Sequence, residues 1–192
     1  MNTLDCIRTR RSSRKYSNQE VPADVIQRLI ELGTMAPTAD SKQPWGFAVI
    51  SGMAEVRSLS DEIKEYLRKN IGQYPQFNDY MGPVQSEKSN LFFGAPCVII
   101  IYGESQWVWS KYDCTLAAGN IILAAHEIGL GSCWVGYAEP YLNSEEGKRR
   151  FNVPDSYSAV CAITVGFPKK MLSPPERKPP RIFYIESGKE GL

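Results

Sequence analysis

Residues 129–136, GLGSCWVG, close a long helical pattern and open an apolar, strand-like run, CWVGY at 133–137. A glycine-rich turn that cradles a dinucleotide has the opposite order, strand before helix, and the spacing G-x-G-x-x-G. This stretch has neither, and the chain holds no G-x-x-x-x-G-K-[ST] phosphate loop. The familiar nucleotide folds are therefore not predicted. The expectation is a glycine-flanked strand against which another piece of backbone can pack closely.

Outward from it, the preceding helix runs from about Ser110 to Ile128. Its apolar and small residues, among them Leu116, Ala117, Ile121, Ile122 and Ala125, lie almost all round, which predicts a central, buried helix. Strands are predicted at 45–51 (WGFAVIS), 97–103 (CVIIIYG, between Pro96 and Gly103) and 159–167 (AVCAITVGF). Further helices are expected at 3–9, from Pro22 to about Met35, and at 53–69, where Val56, Leu59, Ile63 and Leu67 share one face. A short one follows Asn143, with Glu146 completing a capping-box-like pattern. With no repeat and no clear linker, residues 1–192 read as one domain. The tail LSPPERKPP (172–180) is proline-rich and basic, and RIFYIE after it is strand-like. A strand at the end of an extended arm needs an edge to join, in this molecule or in a partner.

Composition is that of an ordinary soluble domain, and 22 Lys plus Arg against 21 Asp plus Glu leave no overall field suited to coating nucleic acid. MNTLDCIRTR lacks the apolar core of a signal peptide and no apolar run is long enough to span a bilayer, so the expectation is a cytoplasmic protein without membrane association. Five widely spaced cysteines without C-x-x-C, beside a single histidine, read as buried reduced thiols and not as a metal site. His126, inside the apolar helix, reads as structural, which removes a hydrolytic triad. Chemistry that lacks a protein acid, base, nucleophile and metal is chemistry carried by a cofactor.

The local exception to neutrality is RTRRSSRKY (8–16), with Arg8, Arg10, Arg11, Arg14 and Lys15 beside Ser12 and Ser13. By pattern alone it is either a solvated basic face or an anion site. Together with MAPTADSKQPWGFAVI (35–50), GLGSCWVG and the basic RKPP (177–180), it resembles, in order and from end to end, the signature of the nitroreductase family of FMN-dependent oxidoreductases.

The resemblance implies an α+β fold, a three-layer sandwich with a mostly antiparallel sheet between helices. It also implies an intertwined homodimer in which the C-terminal arm, 172–192, adds a strand to the partner's sheet. FMN would lie at the dimer interface, with NADH or NADPH as electron donor. Arg10, Arg11, Ser12 and Arg14 would hold the phosphate and ribityl chain, joined by Arg177 or Lys178. The backbone of Cys133, Trp134, Val135 and Gly136 would run along the flavin edge and offer an N–H to N5. Pro37, Thr38, Ala39 and Gln43 would approach from the other subunit, although Asp40 and Ser41 replace the family's usual Gly-Asn pair.

No side chain is assigned a catalytic role, because hydride transfer belongs to the flavin. Two electrons would pass to a nitroaromatic, quinone or similar acceptor by a ping-pong mechanism. Relatives with other flavin chemistry, a flavin-binding protein of little turnover and a nucleic-acid contact are the alternatives. Residues 70–92 show little periodicity, and their Tyr74, Phe77 and Tyr80 are expected in a cover that selects the acceptor.

Overall fold

The computed structural model describes residues 2–170, 172–174 and 176–183. Four strands, β1 (Trp45–Ser51), β2 (Cys97–Glu104), β3 (Gly131–Trp134) and β4 (Tyr157–Gly166), form one sheet in the order β1-β2-β4-β3. Every neighbouring pair is antiparallel. The sequence reason is plain in β2: CVIII is apolar on both faces because both faces are covered. Cys97, Ile99 and Ile101 face one helical layer, Val98, Ile100 and Tyr102 the other, and the register slips between Ile101 and Tyr102 where β2 meets β4.

The first layer is α1 (Thr3–Thr9), α2 (Ala23–Gly33) and α5 (Ser110–Glu127); the second holds α3 (Met53–Asn70), the short α4 (Met81–Gln85), α6 (Glu139–Leu142) and α7 (Glu145–Arg150). The three-layer α+β sandwich expected from the sequence is the architecture found. Ile26 and Leu29 of α2 and Ala117, Ile121 and Ala125 of α5 pack on one sheet face, and Val56, Leu59, Ile63 and Leu67 of α3 pack on the other.

Four sequence expectations need correction. The strand expected at 133–137 lies at 131–134, because Val135 makes one last backbone bond, to Ala162 O, before Gly136–Ala138 turn into a 3-10 helix. Ser144, and not Asn143, caps α7 by accepting from the Gly147 N–H; the Asn143 amide instead bonds both backbone groups of Ala159, extending the edge of β4. Helix α5 is apolar all round but buried on one side only, leaving Tyr112 and Leu116 exposed. Residues 71–85 are not an irregular loop but two 3-10 turns, Ile71–Gln73 and Pro75–Tyr80, followed by α4. Of the strand expected at RIFYIE, Arg181, Ile182 and Phe183 are exposed without regular structure, and the rest lies outside the described residues, as does the Tyr80 side chain.

Candidate functional site

The cationic segment is not a free arm. After Arg10 caps α1, its N–H on Cys6 O at 3.0 Å, the chain becomes extended and runs beside β3. Ser12 forms a parallel bridge to Ser132, and the Ser13 N–H donates to Ser132 O at 2.9 Å. Farther on, the Ser17 N–H donates to Phe167 O and the Lys169 N–H to Lys15 O, at 2.8 and 3.0 Å. Gly131 permits this approach: a Cβ there would stand 2.6 Å from Ser13 Cβ. Gly136 meets nothing within 4 Å, so the two glycines singled out in the sequence have different reasons to be small.

A buried hydroxyl pair ties the same parts together. Tyr16 Oη lies 2.7 Å from Ser13 O and 2.7 Å from Thr164 Oγ1, and Thr164 Oγ1 lies 3.2 Å from Cys133 O. Burial raises the Tyr16 phenol well above its ordinary range, so it stays protonated and a donor.

Between this segment, β3, α5 and the tail lies a cavity of about 790 Å³, within the ~300–1,000 Å³ of small-molecule sites. Arg8, Arg10 and Arg177 bring three guanidinium groups to it, with the Ser12 and Ser132 hydroxyls, the Cys133–Trp134 stretch, and apolar walls from Ile7, Ile122 and Leu123. Among the described residues no carboxylate lines it, and none pairs with these arginines, with Arg11 or with Arg14. A cluster of uncompensated guanidinium groups beside an apolar wall is built for an anion with an apolar body. Burial pushes the Cys133 thiol up, against the opposing pull of Arg14, Ser12 and Arg10, so the thiol adds no negative charge.

Of the residues expected at a site, the structure thus brings Arg10, Ser12, Cys133, Trp134 and Arg177 together. Arg14 sits nearby with its guanidinium 5.8 Å from the Phe93 ring, while Arg11, Lys178, Val135 and Gly136 do not line the cavity. Pro37, Thr38, Ala39 and Gln43 are elsewhere, at the start of α5, where the Ala39 N–H bonds Asp113 and Thr38 Oγ1 accepts from the Gln43 N–H. Asp40, Ser41 and Gln43 there have φ of 50°, 52° and 50°, a left-handed conformation that a Gly-Asn pair adopts more easily than Asp-Ser.

Tyr74 and Phe77 line a separate cavity of about 230 Å³, Tyr74 hydrogen-bonded to Tyr66 and Phe77 stacked on Tyr137 at 5.6 Å between centroids. Ile7, Ile122 and Leu123 were not legible as site residues; in sequence they are ordinary apolar helix positions. Among the described residues no group of His, Cys, Asp and Glu could hold a metal, and no helix is long and apolar enough to cross a membrane.

An antiparallel α+β sandwich with a guanidinium-rich, apolar-walled cavity defines a binder of a small, anionic organic molecule. Comparison with known proteins narrows the class: the nitroreductase family model matches residues 7–167, and the chain belongs to that family. A protein of Methanothermobacter thermautotrophicus, provisionally named as an NADH dehydrogenase/NAD(P)H nitroreductase, is 31% identical over 176 residues, covering 88% of this chain and 78% of its own. A nitroreductase with bound FMN from Bacteroides fragilis has the same fold, with a TM-score of 0.84 at 24% identity over 97% of this chain and 100% of its own. A second, from Desulfitobacterium hafniense and also with bound FMN, gives 0.77 at 25% identity with the same coverage.

Proposed function

We propose that the protein is an FMN-dependent oxidoreductase that takes electrons from NADH or NADPH and delivers them in pairs to a nitroaromatic, quinone or similar acceptor in a ping-pong cycle. The observation that carries this reading is the convergence of Arg10, Ser12, Arg177 and Cys133–Trp134, from three distant parts of the chain, on one cavity that no carboxylate among the described residues lines. The donor set fits FMN: guanidinium forks and a hydroxyl suit a phosphomonoester, and the apolar wall suits a ring system. When bound, FMN supplies the ring that accepts and donates hydride.

The chain's own part is binding and orientation. Arg10, Ser12 and Arg177 hold the phosphate, with Arg11, Arg14 and Lys178 adding to the positive field; each charge-assisted bond contributes about 1.5–3 kcal/mol. Backbone from Cys133 to Gly136 would run along the ring edge, Cys133 and Trp134 from the cavity wall itself, and N–H dipoles of that stretch not used in the sheet would favour the more negative reduced form. The site is completed in a homodimer. Ile7 and Leu4 of α1 and Tyr112 and Leu116 of α5 are exposed apolar residues that a second copy covers. The free edge of β1, beside a groove of about 520 Å³ lined by Val21, Ile26, Ile30 and Val49, receives the partner's C-terminal arm. Pro37, Thr38, Ala39 and Gln43 then reach the partner's flavin.

The test is the absorbance spectrum and flavin content of purified protein, followed by FMN titration of an Arg10→Ala, Arg14→Ala double variant. About one FMN per chain and affinity weakened by up to a few kcal/mol are expected. Unchanged affinity in a folded double variant refutes the phosphate assignment. Anaerobic reduction by NADH or NADPH and an acceptor screen then test turnover.

A further inference from the structure

Two short contacts and one longer one link the cationic segment, through Thr164 of β4, to Cys133 of β3, but the two hydroxyls that make them carry only two protons. Tyr16 Oη contacts Ser13 O and Thr164 Oγ1, both at 2.7 Å, and Thr164 Oγ1 contacts Cys133 O at 3.2 Å. The two carbonyls can only accept. If each received a proton, the two hydroxyl oxygens would face one another at 2.7 Å with none between them. The chain therefore runs one way or the other: Thr164 to Tyr16 to Ser13 O, or Tyr16 to Thr164 to Cys133 O. Lengths favour the first, which uses both short contacts. Tyr16 is 3% exposed and Thr164 is fully buried, so water does not substitute.

The two carbonyls belong to the two halves of the site. Ser13 lies between Ser12 and Arg14 on the cationic segment, and Cys133 opens the backbone stretch on the adjoining strand β3. The halves also meet directly, through the contacts of Ser12 and Ser13 with Ser132 and of the Ser12 side chain with the Cys133 thiol.

We propose that Tyr16 and Thr164 are a positioning pair that sets the span between the cation end of the cavity and the Cys133–Gly136 backbone, and thereby the placement of the flavin ring relative to its phosphate. This rests on the flavin reading above. Neither residue lines the cavity, so both act through the backbone they hold. A wrong span leaves the phosphate contacts intact and is felt at the ring.

Proton counting also says which variants remain folded. In Tyr16→Phe the Thr164 proton passes to Cys133 O; in Thr164→Val the Tyr16 proton stays on Ser13 O. Neither strands a donor.

The experiment uses the full-length chain as Tyr16→Phe, Thr164→Val, the double variant and Thr164→Ser. The dissociation constants of FMN and of inorganic phosphate are measured, with the midpoint potential of bound FMN. Each single variant is expected to weaken FMN about tenfold, the scale of one buried hydrogen bond, and to shift the potential in the same direction. The double variant is no worse than the larger single effect, because the two hydroxyls act as one chain. Thr164→Ser restores both properties, and phosphate affinity stays unchanged throughout. Wild-type potential and FMN affinity in the folded single variants, or additive losses in the double, overturn the proposal. Failure of the wild-type protein itself to bind FMN overturns the flavin reading, and this inference with it.

Discussion

Asp113 uses both carboxylate oxygens to hold the start of α5 to the loop that follows α2: Oδ1 accepts from the Ala39 N–H at 3.1 Å and Oδ2 from the Trp107 indole N–H at 2.9 Å. The side chain is buried and lies in the first turn of α5, where the helix dipole favours its charge. The loop it holds contains the left-handed Asp40, Ser41 and Gln43, each costing on the order of 1 kcal/mol. Asp113→Ala removes both acceptors and is expected to lower stability by about 2–4 kcal/mol. Urea denaturation measures it, and a loss below about 0.5 kcal/mol, the level of an ordinary surface change, means the loop is held by something else.

Gly131 and Gly136 separate under the same substitution. A Cβ at Gly131 lands on Ser13, whose segment carries the arginines, whereas one at Gly136 lands in open space. Gly131→Ala is expected to displace Ser12 and Ser13 and to weaken the binding of FMN and of inorganic phosphate together. Gly136→Ala should leave phosphate affinity alone. Isothermal titration of both ligands checks the pair; equal phosphate affinities for the two variants contradict the close-packing account.

This contrast shows what could be read in advance. Strand β2 was legible to within a residue because five apolar residues in a row allow only a strand covered on both faces. The cluster of guanidinium groups was legible because such a run stands out in a neutral chain. Ile7, Ile122 and Leu123 were not, since an apolar helix residue facing a ligand looks like one facing the core. Nor was the reason for Gly131, because the atom it makes room for is 118 positions away, on Ser13. The 3-10 turns at 71–80 were missed because they lack a period long enough to register as amphipathic.

His126, the single histidine, gives the protein an acid-side instability. Its Nε2 lies 2.9 Å from Thr9 Oγ1, and burial, reinforced by Arg10, lowers its pKa. A lowered folded pKa means that the unfolded chain takes up the proton first, at about 6.5. Stability attributable to His126 is thus complete above that pH and is lost as pH falls through the folded value. In His126→Gln the decline between pH 7.5 and the folded pKa should be shallower than in the wild type. Parallel curves from thermal melts across that range remove His126 as the cause.

The final expectation concerns residues 71–92, which α3 pins by one cationic face. Lys64, buried, donates to Ser86 O, Glu87 O and Ser89 O at 3.1–3.4 Å while pairing with Asp61 at 2.8 Å. Arg57 reaches Glu87 O and Lys88 O, and Arg68 reaches Val84 O. The first half is fixed instead by rings, Tyr74 against Tyr66 and Phe77 against Tyr137, the residue after Gly136. In a segment so anchored the carbonyl cluster is already satisfied, so any influence on acceptor choice falls to its ring contacts. Lys64→Met leaves Ser89 O without its donor, while Glu87 O keeps Arg57 and Ser86 O keeps the Ser89 N–H and hydroxyl, and should cost about 1–3 kcal/mol of stability, lowering all activities together. Phe77→Ala, by contrast, should leave FMN affinity unchanged and alter the kcat/KM ratios between nitroaromatics and quinones. If those ratios stay constant while every rate falls, Phe77 supports the fold and does not select the acceptor.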